Sequence, residues 1–437
     1  MTDQAIPFQT LEAPHDKRLI SHLLIFFGLV YVVEGLGQIG GLVSQPLNYY
    51  LKEVQGWTPV QVTAFVTAFN LPWIIKPVYG LVSDFVPLFG YRRKSYLIIA
   101  NLAAVVGYFC VTQLVKPTDL GIALMLTAYA MAISSTLCGG VLVEHGQEHQ
   151  KCGKFVNQQW LWYNIAAMAA AIVGGLLVQF IDPTSALHVA AGIVAVAPFA
   201  VVIGTTFLIR EKKASVNIEG MKRTLAGLVS AFQQRHLWVV AVFIFLYYFS
   251  PGLSTPLYYH MTDDLQFSQA YIGILGSIGA AGWVTAALLY HRLFDSLSLK
   301  RLLNLSIALG TVTALGFLFF WNETAAAIIS FTSGFSAMLA TVATLTLAAD
   351  YCPKRAEGFS FAVLMSIINL ATSVADNVGS FLYTHVFDKS LPPLVLISAG
   401  FTAFAFVLVP ILRLGDRRQG APVEVRERLE PPGPGAR

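Results

Sequence analysis

Three ionisable residues, Glu34, Lys76 and Asp376, stand inside long apolar stretches of this chain. A charge in such surroundings is costly, so each must find a partner, face a wet cavity or carry a proton or solute. Glu34 shares a helical face with Tyr31, Gln38 and Gln45, because the spacings of 3, 4 and 7 residues return to one side of a helix. At about 1.5 Å per residue, Glu34 lies about 22 Å into its segment, past the middle of a roughly 30 Å hydrocarbon core. Its two readings are a proton-coupling or cavity-lining acid and a structural glutamate bonded to a neighbouring helix.

Lys76 lies about 7 residues from the end of its segment, a depth from which a lysine can snorkel to the interface. Pro77 beside it removes the donor for the carbonyl of Trp73 and predicts a kink, the device by which broken transporter helices present polar backbone to a substrate. A fixed cation there would hold an anionic solute or pair with a carboxylate. Asp376 shares its segment with Asn369 and Asn377. It falls about 27 Å up, too far for direct contact with Lys76, and either lines a vestibule or bonds a neighbouring helix.

Two further clusters suit a flat heteroaromatic ligand: Asn157, Gln158, Gln159, Trp160, Trp162, Tyr163 and Asn164, and, later, Tyr247, Tyr248 and Ser250. The competing reading for aromatic residues near segment ends is an interfacial belt. Paired acids and bases recur at segment ends: Asp84 with Arg92, Arg93 and Glu144, and Asp295 with Lys300, Arg301 and Asp350. Such pairs can hold helix ends together in one state and part in another, which predicts a gate. The passage from Glu144 to Cys152 contains His145-x-x-Glu148-His149, whose histidines could ligate a metal if helical; a solvated polar loop is the plainer expectation, and no resident metal or other cofactor is expected. No Gly-x-x-x-x-Gly-Lys-Ser/Thr phosphate loop is present, which argues against an ATP-driven pump.

The elements that must position these residues are membrane helices. Of 437 residues 56% are apolar and 12% charged, about half the roughly 25% charged content of a soluble domain. The charges are segregated, leaving apolar runs long enough to cross a bilayer near 19–43, 58–82, 95–115, 119–143, 155–180, 185–209, 236–260, 269–290, 300–320, 324–349, 358–386 and 391–412. Residues 1–18 are polar, and the run after them is too long for a cleavable signal. With the N-terminus in the cytoplasm, 24 of the 28 Lys and Arg residues fall inside, a bias that predicts both termini cytoplasmic. Cys110, Cys138, Cys152 and Cys352 show no paired spacing and read as packing residues.

The chain repeats itself. Gln45-Pro46-Leu47-Asn48-Tyr49 matches Thr255-Pro256-Leu257-Tyr258-Tyr259 210 positions later, Asp84 matches Asp295 and Glu144 matches Asp350. The expected organisation is an all-α membrane protein of twelve spans in two six-helix pseudo-repeats: an N-terminal segment 1–18, a first half 19–209, a basic linker 210–236, a second half 237–412 and a disordered tail 413–437. Within the linker, Asn217 through Trp238 reads as a spacer or a surface-lying amphipathic helix.

Gly80-x-x-x-Asp84 followed by Gly90-x-Arg92-Arg93 resembles the loop between helices 2 and 3 of the major facilitator superfamily. Lys76-Pro77-x-Tyr79-Gly80, Gly90-Tyr91-Arg92-Arg93-Lys94-x-Tyr96 and Thr262-x-Asp264-Leu265-x-Phe267-Ser268 are similar to its folate–biopterin transporter branch. That resemblance implies a secondary permease working by alternating access, not an enzyme, with a small polar, anionic or heteroaromatic solute such as a pteridine or folate as cargo. Its partners would be that solute, the lipid bilayer and protons, with no nucleic acid. Two positions depart from the branch: its usual intramembrane aspartate on helix 4 is here Gly139, and an amide usual on helix 1 is here Glu34. The departures and the histidines keep open an inorganic ion, iron or metal-chelate permease of the magnetosome type, and a non-transporting assembly or sensor protein on the same fold. The expected location is a bacterial inner membrane or one derived from it, such as the magnetosome membrane.

Overall fold

The computed structural model describes residues 14–149, 151–222, 235–294, 297–351 and 357–412. The expected tail, residues 223–234 of the linker and Asp295 lie outside these residues. Among them the chain is almost wholly helical. Ten helices are long and apolar enough to cross a membrane, and the broken spans 2 and 7 complete the twelve of the expected all-α fold.

Span 1 consists of α1 (Pro14–Gly37) and α2 (Ser44–Glu53), separated by a break. It therefore runs well past the expected end at residue 43. Span 2 consists of α3 (Pro59–Ala68), α4 (Leu71–Ile74) and α5 (Lys76–Phe85). Spans 3 to 6 are α6 (Lys94–Val111), α7 (Pro117–Glu148), α8 (Cys152–Phe180) and α9 (Pro183–Leu208). Span 7 is α10 (Arg235–Tyr248) followed, after a break, by α11 (Ser254–Tyr259). Spans 8 to 12 are α12 (Gln269–Leu293), α13 (Leu299–Gly316), α14 (Glu323–Tyr351), α15 (Glu357–Phe381) and α16 (Leu391–Leu408). The end of the bundle with residues 85–93, 148–149, 151–154 and 209–222 is the basic end.

The breaks in spans 1 and 7 fall at matching places of the two repeats. In span 1 the Leu42 amide reaches back to the Leu36 carbonyl at 2.9 Å and Tyr108 donates its hydroxyl to the Gly37 carbonyl. A Cβ at Gly41 would collide with the Leu36 carbonyl, so only glycine closes this turn. In span 7 the sequence Pro251-Gly252 stops the helix, and the Gly252 amide bonds across to the Ala375 carbonyl of α15 at 2.8 Å.

Two apolar cores form. One buries Phe26, Phe27, Tyr50, Tyr108 and Phe155 of the first half and continues across to Tyr258, Ile272 and Tyr383 of the second, and the other, with Leu302, Ile307, Leu339, Ala343 and Leu364, lies within the second half. Large apolar side chains such as Ile122, Phe180, Phe207 and Leu288 are at least 73% exposed. Around the whole girdle such exposure is tolerable only where lipid covers it.

Two seams join the halves: α8 packs on α12, and α3, α4 and α5 pack on α15. At the first, Gly175 and Gly273 bring the backbones so close that a Cβ on either would lie 3.0 Å from the other's Cα. Gly273→Val is therefore expected to overpack the seam at a cost of about 1–3 kcal/mol. The check is thermal unfolding in detergent: the melting temperature should fall in Gly273→Val and stay unchanged in Gly400→Ala, where an added Cβ meets nothing within 4 Å.

Candidate functional site

The local chemistry of Pro77 builds the site. Proline has no amide hydrogen, so the Trp73 carbonyl loses its helical partner, and span 2 breaks at Ile75 (φ −96°, ψ 13°) between α4 and α5. The kink expected from the sequence is present. The freed carbonyl accepts a hydrogen bond from Asn369 Nδ2 of α15 at 3.2 Å, across the seam between the halves.

The break aims Lys76, the first residue of α5, into the first half. Its Nζ lies 3.2 Å from Ser135 Oγ of α7 and 4.0 Å from the centre of the Trp73 ring. Glu34 of α1 interacts with both Lys76 and Ser135, while its Oε2 atom is buried with no hydrogen-bond partner. Tyr31, one turn before Glu34, lies beside Cys138, one turn after Ser135. Gln38, one turn beyond Glu34, donates to the Tyr163 hydroxyl of α8. Spans 1, 2, 4 and 5 thus converge on one charged centre. Helix counting placed Glu34 and Lys76 at different depths. In the structure the two feel one another electrostatically and share Ser135, because residue counts measure distance along each helix's own axis and not height in the bundle.

The other candidates divide. Asn369, Ser373, Asn377 and Ser380 form a strip along α15 facing span 2: Asn70 Nδ2 donates to Ser373 Oγ at 3.0 Å, Asn377 Nδ2 to Thr67 Oγ1 at 2.8 Å, and Thr63 Oγ1 meets Ser380 Oγ at 2.6 Å. Asp376 instead sits at the span 7 break, accepting from Ser254 Oγ at 3.1 Å and occupying the space a side chain on Gly252 would need. Gln158 and Trp162 pack on Gly28 of α1, and Asn157 is exposed. Tyr247 and Tyr248 bond Ser306 and Thr344 of their own half at 3.0 and 2.9 Å. The aromatic contact between the halves is made by Trp160 and Trp283, 5.1 Å apart.

At the end opposite the basic one the seam is closed by polar contacts. Lys52 pairs with Asp263 at 2.5 Å, Gln45 Nε2 donates to the Gln269 carbonyl at 2.7 Å, and the Tyr259 hydroxyl donates to the Trp57 carbonyl at 2.5 Å.

At the basic end, Leu88 and Tyr91 close a two-residue hairpin with Phe89 and Gly90 at φ 53° and 83°. Two successive positive φ values explain the glycine of the motif. The Arg93 guanidinium lies across Gly140 of α7, contacts Asp84 at 3.3 Å and pairs with Glu144, which Arg92 also meets at 3.4 Å. Glu211, not singled out from the sequence, accepts from the amides of Arg92, Arg93 and Lys94 at 3.1, 3.1 and 2.9 Å. It caps the start of α6 and satisfies donors that every helix leaves unpaired. The Ala214 amide also bonds the Gly90 carbonyl, so the start of the linker is strapped to this loop. In the second half, Lys300 and Arg301 open α13, where Ser298 caps the Arg301 amide at 3.4 Å; Asp295 and the side chain of Asp350 fall outside the described part.

His145 and His149 lie at the end of α7, which continues as helix to Glu148 where a loop was the plainer expectation. The passage is apolar on one side at Val141, Leu142 and Gly146, which are buried, and this packing holds it helical.

Helices of this number and order, broken at matching points and enclosing buried charge, define a membrane transporter of the major facilitator fold. Solved structures are similar over nearly their whole length: the nucleoside transporter NupG (TM-score 0.65, 14% identity, 90% of this chain and 98% of that one) and a D-xylose-proton symporter (TM-score 0.67, 14% identity, 91% and 98%). The pattern of the BT1 family matches residues 36–414, and the chain belongs to that family. Its relatives include the folate-biopterin transporter of Synechocystis sp. (28% identity, 92% of this chain and 84% of that one), probable folate-biopterin transporter 6 of Arabidopsis thaliana (25%, 87% and 79%) and folate transporter 1 of Plasmodium falciparum (23%, 88% and 78%).

Two buried opposite charges that interact electrostatically predict a double-mutant signature. Glu34→Gln or Lys76→Met alone leaves the other charge without its partner and is expected to cost about 3–5 kcal/mol, whereas the double variant recovers most of the loss. Thermal unfolding of the four proteins in one detergent measures the coupling; simple additivity would mean that the two groups do not act as a pair.

Proposed function

We propose that this transporter carries a folate- or pteridine-like solute in symport with a proton, and that the Glu34–Ser135–Lys76 centre performs the coupling. The observation that carries the proposal is that one lysine serves one carboxylate inside the bundle, beside an aromatic face. A pteridine is a flat heteroaromatic ring, and folate adds carboxylates. The carboxylate of such a solute competes with Glu34 for Lys76, and Trp73 offers its ring to the heterocycle.

The competition itself gives coupling. With the site empty, Lys76 neutralises Glu34. When a solute anion takes Lys76, Glu34 has no counter-charge in a region of low dielectric, and a proton neutralises it instead. Solute and proton then cross together, and the pair re-forms on release. The relatives named for folate and biopterin support the cargo class. The concentration of Lys and Arg at the basic end supports a cytoplasmic placement of that end and of both termini, with Asp84, Arg92, Arg93 and Glu144 as its gate. A bacterial inner membrane is the proposed location.

Proteoliposomes challenged with folate, pterins, small carboxylates and ferrous or ferric chelates test the reading. Folate, whose carboxylate can take Lys76, should drive proton entry, and Glu34→Gln should abolish that flux while solute binding persists. Gly139 lies one turn beyond Ser135 on the same face, and a Cβ there meets nothing within 4 Å. Gly139→Asp in the Glu34→Gln background should therefore return part of the proton flux. A response confined to the iron chelates would overturn the cargo assignment in favour of a metal permease, as in magnetosome membranes.

A further inference from the structure

We propose that His145, Glu148 and His149 form a binding site for one divalent transition-metal ion at the basic end of α7. Helix α7 runs through Glu148, and the His149 amide continues the ladder to the His145 carbonyl at 3.0 Å. Spacings of three and four residues therefore put all three side chains on one helical face. One ligand atom from each lies within 4.8 Å of the others.

The geometry within the cluster is that of ligands rather than of hydrogen-bonded neighbours. His145 Nδ1 lies 3.3 Å and His149 Nε2 3.9 Å from the same oxygen, Glu148 Oε2. Yet both nitrogens are buried without a hydrogen-bond partner. The imidazole rings are held nearly parallel, 10° apart, with centroids 6.1 Å from each other. Two buried ring nitrogens converging on one carboxylate oxygen are costly unless something between them satisfies all three. Metal–ligand bonds of about 2.0–2.2 Å set neighbouring ligand atoms of a tetrahedral site about 3.3 Å apart, so a small rotamer adjustment closes the cluster on an ion.

The donor set fixes the class of ion. Two imidazoles and one carboxylate leave a fourth position for water and suit zinc, cobalt or nickel, whereas magnesium and calcium prefer oxygen alone. The position gives the ion a consequence. Glu144, which holds Arg92 and Arg93, directly precedes His145, so an ion clipping the last turn of α7 also fixes the carboxylate that anchors the loop between spans 2 and 3. It is a bound ligand of the helix end, separate from the cargo path between the halves.

The test uses the full chain, purified in detergent and stripped of metal, titrated with Co2+ and read by its visible d–d absorption, with Zn2+ as competitor. The wild type should bind about one Co2+ per chain with the spectrum of a four-coordinate N/O site. His145→Ala with His149→Ala should weaken binding by at least about 100-fold, and Glu148→Gln by about tenfold or more. The variants His145→Gln and His149→Gln keep the polarity of the helix end, and unchanged size-exclusion profiles establish that their loss of binding is local. Co2+ bound equally well by the double variant, or no stoichiometric binding by the wild type, overturns the site. Neither outcome depends on which solute is transported.

Discussion

A helix that stops in the middle of a bilayer leaves backbone groups with no water to receive them. That constraint organises this molecule. Spans 1, 2 and 7 each stop part-way, and at each break a backbone group is received by a specific neighbour: the Gly37 carbonyl by Tyr108, the Trp73 carbonyl by Asn369, and the Gly252 amide by the Ala375 carbonyl. The second of these bonds crosses from one half to the other, so the break that turns Lys76 inward is also part of what holds the halves together.

The seam is suited to opening because its polar contacts are individually weak. A hydrogen bond between neutral groups contributes about 0.5–1.5 kcal/mol net, so the strip from Thr63–Ser380 to Trp73–Asn369 can be exchanged bond by bond as the halves rock. Inverting a strongly biased two-state equilibrium takes about 5.5 kcal/mol, a quantity that a solute gripping both halves can supply. The close glycine approach of α8 and α12 acts differently: Gly175 and Gly273 keep one line of contact tight, about which the rest can turn.

Much of this was legible in the sequence, for physical reasons that also mark where reading stopped. Pro77 announced the break because a missing donor has a fixed consequence, and the repeat at 210 positions announced matching helices. Asp84, Arg93 and Glu144 do form one network. Ser135 was silent, since a serine in an apolar helix is common and commonly satisfies itself. Glu211 was equally silent, because a carboxylate 118 positions from the Arg93 amide it caps leaves no local pattern. The approach of Glu34 to Lys76 was hidden because counting residues along two helices does not give their relative height. The phenols of Tyr247 and Tyr248 read as ligand groups, yet each has a hydroxyl partner on a neighbouring helix of its own half, which only packing reveals.

The placement of the charges follows a further rule. Pulling apart two buried ions in a medium of low dielectric costs several kcal/mol, more than a rocking motion can repeatedly absorb. Here Glu34, Ser135 and Lys76 all belong to the first half, and Asp376 with Ser254 to the second. Between the halves, in the middle of the bundle, the bonds named above are made by amides, hydroxyls and carbonyls. Among the described residues the ion pair that does cross, Lys52 with Asp263, stands at the end of the bundle, where Asp263 is 45% exposed and water can take over its charge when the pair parts. In the middle of the bundle, ionic interactions are thus kept within each half and neutral ones join the halves, which lets the halves separate without stranding a buried charge. In the proposed symport, only an arriving solute or proton then changes the state of the buried charges, and this is the condition for coupling the two.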